Sequence, residues 1–288
     1  MRLVRFGPKG KERPGIQLGE HIVDLKRHYP DIPDIGETFF RNGWLKKIAG
    51  FEAAGEPLTA RLGCPIQHPS KIICLGKNYA EHAKEGGFNQ PERPLLFCKG
   101  PNALNGPYDP ILLPHGSGNI DWEVELAVVI GREGKHIPKA EALSFIAGVT
   151  IMNDVSGREA QFSDSQWFRG KSFDTFAPLG PAIVTLDEIG DIQNLTLTAI
   201  VDGTVMQTGN SGDMIFDVAT LIEFISEDMT LLPGDIISTG TPSGVGFFRD
   251  PPIVLEAGSV VECRIEKIGT IVNRVEDKPQ IAGAAASI

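Results

Sequence analysis

Apolar and polar residues alternate with a period of two along much of this chain, the pattern of strands with one face buried. MRLVRF at the start and GIQLGEHIVDL soon after read as short strands joined by glycine-containing turns. The period then changes. In ETFFRNGWLKKIAGFEAAG, residues 37–55, Phe40, Trp44, Ile48 and Phe51 recur at helical spacing, which predicts a helix. PLTARLGCPIQHPS has prolines that interrupt any period, and it reads as a linker. Residues 1–69 are therefore expected to form a small N-terminal accessory α+β domain, and residues 70–288 a larger second domain.

The second region opens with KIICLG, a short buried strand, followed by a predicted helix from about Asn78 to Lys84. VTIMNDVS is another apolar strand that ends in polar residues. GDIISTG and GSVVECRIEKIGTIVNRVED alternate or run apolar between turn signals and read as paired strands. A helical pattern is confined mainly to DMIFDVATLIEFISED, residues 213–228, with Asp213 as its expected N-cap. Strands dominate, which gives an α+β class.

NIDWEVELAVVIG, residues 119–131, breaks its own rule. Side chains alternate across a strand, so Glu123 and Glu125 share a face that Ala127 and Val129 continue as apolar. Trp122, Val124, Leu126 and Val128 take the other face. A buried carboxylate is costly unless paired or bound to a cation. Either that face opens onto water, or something positive stands before it.

Composition narrows the choice. Hydrophobic residues make up 41% of the 288 and charged residues 22%, the proportions of an ordinary globular enzyme. The net charge of −10, with no stretch dense in Lys and Arg, argues against a nucleic-acid surface. No apolar run approaches the roughly 20 residues needed to span a bilayer. MRLVRFGPKG lacks a signal-peptide core. Cys64, Cys74, Cys98 and Cys263 are widely spaced without a CxxC pair, so reduced core thiols and a cytoplasmic location are expected rather than a zinc site. GxGxxG after a strand and GxxxxGK[ST] are both absent, which removes the usual support for nucleotide binding.

Four stretches could carry chemistry. Glu123 and Glu125, two apart on one strand face, are separated by roughly 7 Å along the backbone. Their carboxylates can still converge on one ion, with Asp154 in IMNDVSGREAQ as a third ligand. An all-carboxylate set favours a hard cation, Mg²⁺ or Mn²⁺, over zinc. The same Glu-x-Glu also suits the wet face of an edge strand. In LGKNYAEHAKEGG, His82 and Glu85 stand three apart on one helix face, the arrangement of a general base with its orienting carboxylate, or of a solvated charged face. In SQWFRGKSFDTFAPLGP, Lys171 could hold an oxyanion or sit at the surface. STGTPSGVG could bring backbone N–H groups and the Thr241 hydroxyl close to a ligand, or merely turn.

Taken in order, LGKNYAEHAKE, DWEVELAVVIG, NDVSGREAQ, GKSFDTFAPLGP and STGTPSGVG resemble the fumarylacetoacetate hydrolase family over most of residues 70–250. The resemblance implies a mixed β-roll or β-sandwich catalytic domain over residues 70–288, a homodimer, Mg²⁺ or Mn²⁺ as cofactor, and a 2-oxo acid substrate. It places the metal ligands on Glu123, Glu125 and Asp154, the catalytic groups on His82, Glu85 and Lys171, and substrate contacts on Tyr79, Gln161 and Thr241. The reaction expected first is hydrolysis of a C–C bond in a 2,4-dioxo acid, giving pyruvate and a carboxylic acid, with His82 and Glu85 activating water. The opening residues and QWFRGKSFDTFAPLGP are similar to the bacterial branch that acts on 2,4-dioxo-3-deoxy sugar acids. Isomerisation of hydroxymuconate-type diacids and decarboxylation of oxaloacetate use the same ligands and remain open, as does a structural Ca²⁺ without catalysis. Two departures stand out. Lys77 replaces the usual arginine, whose two-pronged contacts it cannot make, and SGRE carries Gly157 and Glu159 in place of the usual Ala and Asp.

Overall fold

The alternating segments assemble into three sheets in the computed structural model, which describes residues 1–51, 60–116, 118–163 and 165–279. The main sheet has eleven strands. Nine follow the order His21–Asp24, Arg13–Leu18, Arg2–Phe6, Ala177–Val184, Ile146–Asn153, Val124–Ile130, Ile236–Ser238, Ile72–Gly76 and Leu95–Lys99. Leu62–Gly63 adds to Arg2–Phe6, and Leu104–Asn105 adds to Ala177–Val184. A five-stranded sheet runs Thr204–Asn210, Thr196–Val201, Val260–Ile265, Gly269–Asp277 and Ile111–Leu113. Ile120–Asp121 and Ser156–Gly157 form a two-stranded ribbon. Most pairings are antiparallel. Ile236–Ser238 with Ile72–Gly76, Gly269–Asp277 with Ile111–Leu113, and Ala177–Val184 with Leu104–Asn105 are parallel. The fold is a strand-dominated α+β architecture with mixed sheets.

Val124–Ile130 lies at the centre, and every one of its residues is buried. The expected alternation holds. Val124, Leu126, Val128 and Ile130 join Trp122 in a core shared with the five-stranded sheet through Leu197, Ala199 and Val261. Ala127 and Val129 enter a second core with Ile72, Phe39, Ile48 and Ala177. Each large apolar side chain buried this way contributes roughly 1.5–3 kcal/mol. The face carrying Glu123 and Glu125 is thus a second buried face, and the ordinary explanation of a wet edge does not apply.

The first 69 residues contribute four strands to the main sheet, and Leu3 opposite Ile183 joins them directly to the later chain. Several local expectations are corrected. The helix read across residues 37–55 is two short helices, Glu37–Arg41 and Trp44–Lys47, separated where Gly43 takes a left-handed φ of 71°. Its last residues lie outside those described. The stretch read as a linker contains Leu62–Gly63, a strand paired with Arg2–Phe6. The helix expected to start at Asn78 runs from Ala80 to Glu85. The helix expected from Asp213 begins at Val218, and Asp217 is its N-cap, accepting from the Thr220 N–H. Asp213 instead closes a capping box on the short turn Ser211–Asp213. All four cysteines are free, and Cys98 is exposed rather than in the core. Among the described residues no helix is long and apolar enough to cross a membrane.

Candidate active site

Two strand ends meet at the centre of the main sheet. Where the ladder of Val124–Ile130 stops, other groups take over its backbone. The Glu123 N–H donates to Asn153 Oδ1 at 3.0 Å, and the Val124 N–H donates to Gln207 Oε1 at 3.0 Å. The Asp154 N–H donates to the Glu123 carbonyl at 2.9 Å, which locks the end of Ile146–Asn153 beside the two glutamates. Glu123, Glu125 and Asp154 consequently each offer an oxygen within 4.8 Å of the others, all three side chains being buried. Oxygens on one ion are separated by at most twice the metal–oxygen bond, about 4–5 Å for bonds of 2.0–2.6 Å. The three residues fit a hard divalent cation on both spacing and donor type.

Buried cations surround this centre. Lys171 Nζ donates to Glu123 Oε2 at 2.7 Å and to Asp154 Oδ2 at 2.8 Å. Lys99 Nζ donates to Asp154 Oδ1 at 2.6 Å and to the Val155 carbonyl at 3.1 Å. The Arg158 guanidinium donates to Asp121 at 2.7 and 3.0 Å, to Glu123 Oε1 at 2.7 Å, and to Gln161 Oε1 at 3.0 Å. Something positive does stand before the glutamate face. Glu125 is the exception, because its Oε2 accepts from the Ser238 hydroxyl at 2.5 Å and the Gly240 N–H at 3.1 Å, neither of them a cation.

The protonation energetics follow from these partners. Burial pushes the Glu125 carboxyl well above its ordinary range, and the negative neighbours Asp154 and Glu123 push it further. Burial also opposes ionisation of Glu123, yet Lys171 and Arg158 outweigh it and hold that carboxyl well below the usual range. Burial would lower the Lys171 ammonium, but Asp154 and Glu123 raise it. Glu125 is thus the place where the centre lacks a positive charge, and a divalent cation would supply one.

His82 and Glu85 ride on the helix Ala80–Glu85. His82 Nδ1 lies 3.4 Å from Glu85 Oε2, and the Gly244 N–H fixes both Glu85 oxygens at 3.0 and 3.1 Å. Nε2 is the nitrogen left for other chemistry. A narrow cleft opens over the site. Its walls include His82, Glu123, Glu125, Gln161, Lys171 and Thr241, with the aromatic rings of Phe97, Phe162, Trp167 and Phe248 around them.

The remaining residues expected at the site are placed as follows. Asp154 lies fully buried behind the cleft wall. Thr241 reaches the wall, but its hydroxyl already donates to the Val124 carbonyl at 2.8 Å and accepts from Gln207 Nε2 at 2.8 Å. Tyr79 is buried outside the wall, with a hydroxyl that has no hydrogen-bond partner among the described residues. Lys99, Arg158, Asp121 and Gln207 were not expected. The signal for the first two was electrostatic, since three buried carboxylates require buried cations. No sequence signal marks Gln207, which joins the start of Val124–Ile130 to the Thr241 loop through its amide.

Known proteins are similar to this chain over nearly its whole length. Residues 71–276 match the family described as fumarylacetoacetate (FAA) hydrolase C-terminal. The mitochondrial oxaloacetate tautomerase Fahd2a of Rattus norvegicus is 43% identical over 286 residues, spanning 96% of this chain and 91% of that protein. The maleylpyruvate hydrolase of Sphingobium sp. SYK-6, solved with manganese(II) and pyruvate, superposes with a TM-score of 0.77 at 30% identity, over 97% of this chain and 100% of that one. The 5-carboxymethyl-2-hydroxymuconate delta-isomerase of Mycobacterium smegmatis gives a TM-score of 0.77 at 39% identity, with 97% and 100% covered. Hydrolases, isomerases and tautomerases are thus all similar to this chain, and it belongs to the fumarylacetoacetate hydrolase family.

Proposed function

We propose that this protein is a divalent-cation-dependent enzyme that moves a proton between carbon and oxygen of a short 2-oxo acid. The reaction supported best is keto–enol tautomerisation of an oxaloacetate-type substrate. The observation that carries this reading is one cleft shared by the carboxylate triad and a hydrogen-bonded His–Glu pair. Glu123, Glu125 and Asp154 would hold Mg²⁺ or Mn²⁺, which supplies Lewis-acid polarisation of a 2-oxo carbonyl. Similarity to the rat tautomerase over nearly the whole chain favours proton transfer over bond cleavage.

The residues present suit that task. His82 Nε2 takes the proton from the carbon next to the carbonyl and returns it, while Glu85, itself held by Gly244, orients the ring and stabilises its protonated form. The proton lost from carbon is balanced by one gained at the former carbonyl oxygen. Lys171 and Arg158 make the neighbourhood of that oxygen positive, which favours charge developing on it. The aromatic walls limit water.

A second reading, hydrolysis of a 2,4-dioxo acid to pyruvate and a carboxylic acid, draws support from the maleylpyruvate hydrolase neighbour. The same His82–Glu85 pair could deprotonate a water, and a sugar-acid substrate would belong to this reading. One experiment separates the two. With Mg²⁺ present, the ultraviolet enol band of freshly dissolved oxaloacetate should relax faster with enzyme, without matching release of pyruvate. His82→Ala should slow it by roughly 10²–10⁴-fold. Rapid pyruvate release from acylpyruvates, with no effect on the oxaloacetate enol band, would establish hydrolysis instead.

A further inference from the structure

Lys77 stands apart from every other cation of the cleft. Lys99, Lys171 and Arg158 are each bonded to a fixed carboxylate. Lys77 lines the same cleft, and its Nζ lies over the Phe88 ring, 3.7 Å from the centroid. No ion pair with a carboxylate forms at Lys77 among the described residues. Its backbone is left-handed, with φ at 59°, a conformation a lysine rarely adopts.

The neighbours enforce that turn. The Asn78 amide donates to the Thr239 carbonyl at 2.8 Å and to the Phe216 carbonyl at 3.1 Å, while its Oδ1 accepts from the Phe216 N–H at 2.9 Å. Strain that the surroundings hold in place is characteristic of groups positioned for a ligand. Burial lowers the ammonium's pKa and no acid restores it, so an incoming anion would gain what the protein leaves unmade.

We propose that Lys77 receives the second carboxylate of a dicarboxylic 2-oxo acid, and so selects diacids over monoacids of equal length. This rests on reading the cleft as a 2-oxo acid site. One end of the substrate would face the carboxylate triad, and the far carboxylate would meet Lys77, a cleft cation without a carboxylate partner among the described residues. Phe88 keeps that ammonium fixed and partly dry, which strengthens a charge-assisted contact. Neutral-tailed substrates, sugar acids among them, would leave Lys77 unpaired and bind less well.

The test compares oxaloacetate with 2-oxobutanoate, which has the same number of carbons but lacks the second carboxylate. Binding to the Mg²⁺-loaded protein is followed by stopped-flow tryptophan fluorescence, Trp167 being part of the cleft wall. Wild type should bind oxaloacetate about tenfold tighter or more. The preference should collapse to about twofold in Lys77→Met and survive in Lys77→Arg. Lys77→Asn, whose side chain tolerates the left-handed turn, repeats the measurement should Lys77→Met fold poorly. A wild type without preference, or neutral variants that keep it, overturns the assignment. Deuterium exchange at C3 of both ligands, read by NMR, reports separately on enolisation. Charge-selective binding without accelerated exchange would refute the proposed reaction while leaving Lys77 in its role.

Discussion

Glu125 concentrates the electrostatic tension of the site, because burial and two negative neighbours oppose its ionisation, and the Ser238 hydroxyl and the charge of Lys171 offset them only in part. Its carboxyl is raised, so folding favours the protonated form. That contribution is complete below the ordinary value of 4.5 and is lost as pH rises through the raised one. Glu123 runs the opposite way. Lys171 and Arg158 depress it against burial, so its contribution is present above 4.5 and disappears as pH falls through the lowered value. In the metal-free protein, stability from Glu125 should therefore decline as pH climbs above about 4.5 and through the raised value. Glu125→Gln should flatten that decline and raise the metal-free Tm at neutral pH by roughly 2–6 °C. The same variant should lose Mn²⁺ affinity by calorimetry, whereas an unchanged affinity would remove Glu125 from the ligand set. Lys171→Met should act in reverse, leaving Glu123 only Arg158 and Asp154 only Lys99 as a cationic partner, at a cost of about 3–5 kcal/mol by urea unfolding. Saturating Mg²⁺ should restore part of that loss. The acidic half of this centre was legible in the sequence, because two glutamates on an apolar strand are anomalous in themselves. The basic half was not. Lys99 ends the strand Leu95–Lys99, and Arg158 opens a five-residue helix, and neither position looks unusual until the fold brings it against a carboxylate.

Short helices carry His82, Arg158 and Lys171, and they work only where they are packed very closely. Arg158–Phe162 and Phe168–Lys171 touch at Gly170, where an added Cβ would stand 2.3 Å from the Gln161 backbone nitrogen. Backbone cannot yield there, so Gly170→Ala must push the two helices apart and carry Lys171 with them. The expected cost is about 1–3 kcal/mol of stability in a urea melt. A fall in kcat larger than the change in KM should accompany it, since Lys171 faces the reacting end; normal kcat would show that the helices have slack. Long alternating strands such as Val124–Ile130 and Ile146–Asn153 were legible because both cores impose the period of two. Ala177–Val184 was not. Its Pro178 and Pro181 cannot donate to a ladder, which hides a strand from the sequence pattern. The sheet accepts Pro181 in the irregular stretch between the pairs Ile151–Gly180 and Val149–Val184, where the regular register is interrupted. The helix start expected at Asp213 has a local cause. Asp213 and Asp217 are both competent N-caps, and the side-chain-to-backbone bonds of the Asn210–Asp213 turn decide which of them opens the helix.

At the scale of the molecule, the carboxylate centre is supported from behind by residues that precede the linker read at about residue 57. Leu3, Leu25, Ile32, Phe39 and Ile48 are essentially fully buried in the core that also holds Ala127, Val129 and Met152, the continuation of the glutamate face and its neighbour strand. At roughly 1.5–3 kcal/mol for each large side chain, those five alone match the 5–15 kcal/mol by which a whole domain is stable. Arg2–Phe6 also lies against Ala177–Val184, the neighbour of the strand Ile146–Asn153 that leads into Asp154. Residues 70–288 produced alone would therefore expose an apolar sheet face directly behind the metal ligands and leave Ala177–Val184 without a partner strand on that side. Such a fragment should show no cooperative thermal transition and no Mn²⁺ binding by calorimetry. The intact chain should unfold in a single transition that Mg²⁺ moves upward, by an amount corresponding to about 2.7 kcal/mol at a hundredfold excess over Kd. A fragment that melts cooperatively and binds Mn²⁺ like the intact protein would mean that the shared sheet is a docking contact and that the ligand geometry is set wholly by the later chain.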